Sequence, residues 1–163
     1  MLEVRAIGYE ELGYLLEMWQ ERSKWLRSIG EEMWDVSQLN AKSIINKYEN
    51  PEFFIGFVEN VQVGGFLLIE KDSRYWPDRM EDRAYYLHKF VVRLGHGGKG
   101  YSKRMLEWIK DQAEANGKQY VRLDYEIDRE YLRKMYIDSG FRDIEILKKE
   151  GQSDIVKAEY RVL

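Results

Sequence analysis

Residues 87–109 read LHKFVVRLGHGGKGYSKRMLEWI, and this stretch decides the fold. The apolar run Phe90-Val91-Val92 leads into a glycine-rich turn, Gly95-His96-Gly97-Gly98-Lys99-Gly100, and a helical pattern follows at once. A strand, a glycine turn and a helix N-terminus together make an anion site. The first N–H groups of a helix have no partner inside it, and the helix dipole favours negative charge there. Glycines let backbone approach a ligand with no Cβ in the way. Lys99, Lys103 and Arg104 add positive charge beside the turn. The guest such a site suits is a phosphate or pyrophosphate.

Working outward, the chain alternates strands and helices. Leu2, Val4 and Ala6 alternate with Glu3 and Arg5, which predicts a half-buried strand over 2–7. Leu12, Leu15, Leu16, Trp19 and Leu26 recur at helical spacing, predicting a helix over about 10–27. A second helix is expected from Ser37 or Asn40 to Tyr48, stopped by Asn50-Pro51. Strands over 53–59 and 61–71 form a hairpin turning at Asn60, with Gly64-Gly65 expected at a bulge. Residues 72–82 form a polar loop long enough to suggest function. A strand over 83–92 feeds the glycine turn, and a helix over 99–115 ends at Asn116-Gly117. Then come a strand over 120–125, a helix over 129–139 capped by Asp128, and strands over 141–148 and 154–162. The order β, α, α, β, β, β, α, β, α, β, β predicts an α/β fold around a central mixed sheet.

Two motifs resemble those of the GCN5-related N-acetyltransferase (GNAT) superfamily. Its pyrophosphate loop is written Gln/Arg-x-x-Gly-x-Gly/Ala after a strand ending in valine. Here the valine is Val92 and the loop is Gly97-Gly98-Lys99-Gly100-Tyr101-Ser102. Gly97 replaces the leading Gln or Arg, and Ser102 stands at the third small position. A second block, Arg129 to Phe141 (REYLRKMYIDSGF), resembles the family's helix ending in Tyr-x-x-x-Gly-Phe, with Tyr136, Gly140 and Phe141 in register. Arg129 stands where the family often has Asn.

The resemblance implies a single GNAT domain over 1–163, with a mixed, mostly antiparallel sheet of about seven strands and about four helices. It implies acetyl-CoA as co-substrate. The cofactor positions are then Phe90, Val91, Val92, Gly97, Gly98, Lys99, Gly100, Tyr101, Ser102, Lys103 and Arg129. In the family the strand splays near residues 90–92, which frees backbone groups for the pantetheine and the acetyl oxygen. Tyr136 is implied as the acid that protonates the departing thiolate, since a free phenol titrates near 10. His88, on a strand where some family members place a catalytic base, is the candidate base. Counting alternation puts His88 and Val92 on one face. Asp124 and Glu126 are alternatives acting through water. Trp25, Trp34, Tyr75 and Trp76 are candidate pocket walls, and Glu31, Glu32, Asp35 or the carboxylates of the 72–82 loop candidate rim carboxylates, though a core or a solvated surface uses the same residue types.

Composition narrows the rest. At 163 residues the chain is one domain by length. It has no cysteine, which excludes disulfides, thiolate zinc and a cysteine nucleophile, and so favours direct attack over an acyl-enzyme. With only His88 and His96, a histidine-based metal site is not expected, and no metal is called for. Net charge is −3 with mixed signs, unlike a nucleic-acid binder. No long apolar run or signal-type start is present, so a cytoplasmic location away from membranes is expected, as monomer or homodimer. A Rossmann site fits poorly, because three strands of hairpin type precede the glycine turn. A P-loop fails for want of Gly-Lys-Ser/Thr. The expected partner is therefore a small-molecule amine. A non-catalytic acyl-CoA sensor and a protein or peptide N-acetyltransferase are the alternatives.

Overall fold

The computed structural model describes residues 1–162. Seven strands and four α-helices follow in the expected order: β1 Leu2–Ile7, α1 Leu12–Ser28, α2 Ala41–Lys47, β2 Glu52–Val58, β3 Val61–Ile69, β4 Ala84–Val92, α3 Tyr101–Ala115, β5 Tyr120–Glu126, α4 Glu130–Asp138, β6 Arg142–Leu147 and β7 Ile155–Arg161. The sheet runs β1-β2-β3-β4-β5-β7-β6. It is mixed: β4 pairs parallel with β5, while β1–β2, β2–β3, β5–β7 and β6–β7 are antiparallel. No helix among the described residues is long and apolar enough to cross a membrane.

Contacts gather the chain into two compact units. The first holds Met1–Ile69 and Lys89–Met105; the second holds Glu70–His88 and the residues from Leu106 onward. The chain therefore passes between them inside β4, between His88 and Lys89.

In the first unit, β1 to β3 form an antiparallel meander. The β2–β3 turn uses Glu59 and Asn60, both with positive φ (50° and 65°), as a tight hairpin turn requires. Partners jump from Gly56↔Gly64 to Phe57↔Gln62, which leaves Val63 as the extra residue of a bulge beside the predicted Gly64-Gly65. Those glycines answer a different need. A Cβ on Gly64 would sit 2.5 Å from the Val91 carbonyl oxygen, and one on Gly65 would sit 2.6 Å from that of Phe54. Leu12, Leu15, Met18, Trp19 and Leu26 of α1 are buried, which accounts for the helical spacing seen in the sequence.

In the second unit, β7 lies between β5 and β6. β5 has two unlike faces. Val121, Leu123 and Tyr125 point one way with the apolar core. Arg122 and Asp124 point the other way, opposite Glu159 and Lys157 of β7. That second face is charged but covered. Arg122, Lys157 and Glu159 are all buried. Arg122 Nε donates to Glu159 Oε1 at 2.9 Å, its Nη1 donates to the Tyr86 hydroxyl at 3.0 Å, and its Nη2 lies 2.7 Å from Asp82 Oδ2. Trp76 covers this face, with the Arg122 guanidinium 5.0 Å and the Lys157 ammonium 4.4 Å from its ring. The predicted polar loop over 72–82 is thus plugged into the unit by a fully buried Trp76. Trp76 is part of that plug, not an open pocket wall.

Candidate active site

The glycine turn lies in the first unit. Gly95, Gly98 and Gly100 all have φ between 75° and 85°, the left-handed region where a side chain is strained. No atom lies within 4 Å of an added Cβ at Gly97, Gly98 or Gly100, so the turn opens outward. The first helical bond of α3 runs from Arg104 N–H to the Gly100 carbonyl, 3.2 Å. The N–H groups of Tyr101, Ser102 and Lys103 precede it and are the free donors of the helix start. The helix begins at Tyr101, two residues later than predicted, so Lys99 belongs to the turn. Glycines, helix donors and the cations Lys99, Lys103 and Arg104 are in one place, and this set fits a pyrophosphate.

The strand entering the turn is held by α1. Trp19 Nε1 donates to the Lys89 carbonyl at 2.6 Å, and Arg22 Nη2 donates to the Val92 carbonyl at 2.7 Å. Phe90 and Val91 lie between these two anchors, with the Phe90 ring 6.0 Å from Phe66. Lys89 itself has φ +56°, a left-handed residue inside a strand. Alternation counted from His88 to Val92 passes through a residue that breaks it, so the count cannot place those two side chains on one face. The ladder between β4 and β5 covers Ala84↔Tyr120 to Tyr86↔Arg122, while β5 continues to Glu126 against β7. Among the described residues, Leu87 and His88 follow the end of that ladder.

His88 and Tyr136 both lie in the second unit. His88 Nε2 is 2.9 Å from Asp72 Oδ2, and both side chains are largely buried. Asp72 Oδ1 accepts the backbone N–H groups of Arg74 and Tyr75, each at 3.1 Å. Burial pushes the Asp72 carboxyl upward. The His88 hydrogen bond and charge, with the two backbone donors, outweigh burial and hold it below the usual carboxylate range. One donor atom from each of Asp72, His88 and Asp124 lies within 4.8 Å of the other two. An imidazole with two carboxylates is also a donor set that can take a divalent cation, which the histidine count did not suggest. Asp72 enters the sequence reading only as one of the 72–82 loop carboxylates that could line a pocket rim, not as the partner of His88. Its signal in the sequence was its place three residues beyond the apolar end of β3 at Ile69 and sixteen residues before His88.

Tyr136 is buried on α4, its ring 5.9 Å from Tyr125 and 5.8 Å from Phe141. Burial pushes its phenol well above the ordinary value, and the Tyr131, Asp124 and Tyr125 charges add to the shift. The hydroxyl therefore stays protonated through the neutral range, and it is a weaker acid than a free phenol. The Tyr-x-x-x-Gly-Phe block has a structural reason as well. Gly140 has φ +91°, Phe141 N–H bonds to the Tyr136 carbonyl at 3.0 Å, and the two aromatic rings meet. That is a Schellman stop with its apolar contact.

Arg129 is buried at the start of α4, where its guanidinium lies 3.9 Å from Glu126. It occupies the N-cap position, without a side-chain cap bond. The expected cap, Asp128, instead accepts from Ser153 Oγ at 2.9 Å.

A family model described as the Acetyltransferase (GNAT) family matches residues 15–141. The chain belongs to this family. The match includes the glycine turn, His88, Asp72 and Tyr136, and it ends at Phe141. Solved structures of the family share the fold. A GNAT-family acetyltransferase from Listeria monocytogenes superposes with a TM-score of 0.74 at 21% identity, over 98% of this chain and 94% of that one. One from Staphylococcus aureus gives 0.72 at 15% identity over the full length of both. The spermidine N-acetyltransferase of Vibrio cholerae, solved with CoA and spermine, gives 0.69 at 17% identity over 98% and 95%. No curated protein sequence matches the chain.

Proposed function

We propose that the protein moves an acetyl group from acetyl-CoA to the primary amine of a small molecule, by direct attack of the amine in a ternary complex. The observation that carries this reading is the Asp72–His88 pair in a chain of this family. A largely buried imidazole held by a carboxylate is suited to take a proton from an amine at neutral pH. The glycine turn and the first N–H groups of α3 would hold the pyrophosphate of acetyl-CoA. Tyr136, protonated through the neutral range, would give its hydroxyl proton to the departing thiolate. Asp124, close to His88, would attract the amine as its ammonium. The Vibrio cholerae relative, which binds a small polyamine, supports a small cationic acceptor over a peptide.

A thermal-shift titration with acetyl-CoA, CoA, NAD and ATP tests the binding half. Ligand at about 100-fold over Kd adds roughly 2.7 kcal/mol of stability, and the shift is expected with acetyl-CoA and CoA only. A shift with NAD or ATP alone would sink the reading. Transfer is then followed as free thiol released over a panel of amines, polyamines included. CoA binding with no release across that panel would leave an acyl-CoA sensor.

Tyr136→Phe is expected to lower kcat by about 10²-fold or more while the acetyl-CoA thermal shift is retained. The packing partners of Tyr136 are rings, which phenylalanine also satisfies, so the fold should hold. An unchanged kcat would remove Tyr136 as the proton donor.

A further inference from the structure

We propose that Asp72, His88 and Asp124 bind a divalent first-row metal cation such as zinc, and that the bound ion blocks acetyl transfer. The catalytic half rests on the acetyl-transfer reading above. The binding half stands on the three side chains alone.

All three residues belong to the second unit. Asp72 comes from the loop after β3, His88 from β4 and Asp124 from β5, so three separate segments each supply one ligand. One donor atom from each lies within 4.8 Å of the other two. Ligand atoms around a single ion stand about 3–4.2 Å apart at bonds of about 2.1 Å. The set is therefore at coordination scale before any ion enters.

Two of the donors are held in place. Asp72 is 4% exposed, and its Oδ1 accepts the N–H groups of Arg74 and Tyr75 at 3.1 Å. Its Oδ2 lies 2.9 Å from His88 Nε2. Side chains fixed in this way have little freedom left to lose on binding. Asp72 and Asp124 bring two negative charges to a largely buried place, and a divalent cation cancels both. The imidazole sets the class of ion. A nitrogen donor suits zinc, iron or cobalt, whereas magnesium and calcium take oxygen ligands.

Metal and substrate exclude each other. In the acetyl-transfer reading His88 takes a proton from the amine, and Asp124 attracts the amine as its ammonium. An ion bonded to both occupies the imidazole and stands where the ammonium would be drawn. Protons displaced from the ligands pass to solvent. Inhibition is then competitive with the amine, and the glycine turn contains none of the metal ligands.

Calorimetric titration of EDTA-treated, dialysed protein with zinc chloride and with magnesium chloride tests the binding half. One equivalent of zinc is expected, with a Kd about 100-fold or more below that of magnesium. His88→Gln and Asp124→Asn should each weaken zinc by about 100-fold or more, while His96→Gln should change it by less than about threefold. Zinc that survives both variants, or that binds no tighter than magnesium, overturns the site. If a variant fails to fold, the wild type decides alone: cobalt chloride should shift and broaden the NMR signals of Asp72, His88 and Asp124 first. Broadening centred on His96 or on exposed acids overturns the site. For the catalytic half, N-acetylated product is followed by mass spectrometry. One equivalent of zinc should lower kcat/KM for the amine by about tenfold or more, with the KM for acetyl-CoA changed less than about threefold, and EDTA should restore it. Undiminished transfer by the zinc-loaded protein overturns the block. A wild type that transfers no acetyl group even without metal sinks the functional reading, while the titration still decides the site.

Discussion

Replacing Arg122 by methionine is expected to cost about 3–5 kcal/mol of folding stability. Arg122 is fully buried, and its guanidinium serves Glu159, Asp82 and the Tyr86 hydroxyl at once. Methionine fills part of the volume but leaves the buried Glu159 carboxylate without its main partner. Removing one side of a buried pair exposes the full desolvation cost of the other. Arg142 also lies 3.9 Å from Glu159, but it is largely exposed and cannot replace a buried fork. Urea unfolding checks the prediction through a lowered midpoint at unchanged slope. Adding Glu159→Leu should recover most of the loss, since an apolar pair of similar size tolerates burial. A loss below about 1 kcal/mol in the single variant, the range of an exposed pair, would mean the network contributes little.

His88→Gln is expected to lower kcat/KM for the acceptor by about 10²–10⁴. Glutamine is the informative replacement. Its side-chain amide can still donate to Asp72, so the buried carboxylate keeps a partner and the fold should survive. The basic nitrogen is lost. Acetyl-CoA binding should persist, because the glycine turn and the start of α3 contain none of the altered atoms. Single-turnover rates with acetyl-CoA prebound separate chemistry from binding. A rate within threefold of wild type would hand the base's role to water or to Asp124.

The element order was legible because the local signals were strong and agreed. Alternation marked β1, helical spacing marked α1, and glycines with positive φ marked the ends of α3 and α4 at Gly117 and Gly140. Boundaries shifted by a residue or two where a cap differed from its best sequence candidate, as at Asp128 and Arg129. The strand order β5-β7-β6 was not legible, because a strand entering between two others depends on contacts far apart in the chain. The glycine turn and Tyr136 were found through motifs. Asp72 was named only among the loop carboxylates, because nothing in sequence shows how that loop is seated, with the Asp72 carbonyl accepting the N–H of the buried Trp76 at 2.9 Å. The role of Trp76 in turn depends on Arg122 and Lys157, which in sequence look like the solvent side of a strand. Lys89 was missed for a simpler reason: nothing in its residue type announces a left-handed conformation. Sequence left the face of Asp124 open. The pairing of Asp124 with Lys157 sets it beside Arg122 on the charged side of β5.

The Trp76 plug also bears on how variation in this chain would be read. Asp72 reaches His88 only because the segment behind it is seated on a covered layer of charges. A substitution at Trp76, Lys157 or Asp82 touches no reacting atom, yet it loosens the support of the imidazole. Such a change would be scored in a genetic screen as a loss of activity and assigned to the active site. Its origin would be a packing defect. In this unit the inheritance of function is tied to the inheritance of packing, and a map of inactivating substitutions would trace the plug as well as the reacting groups.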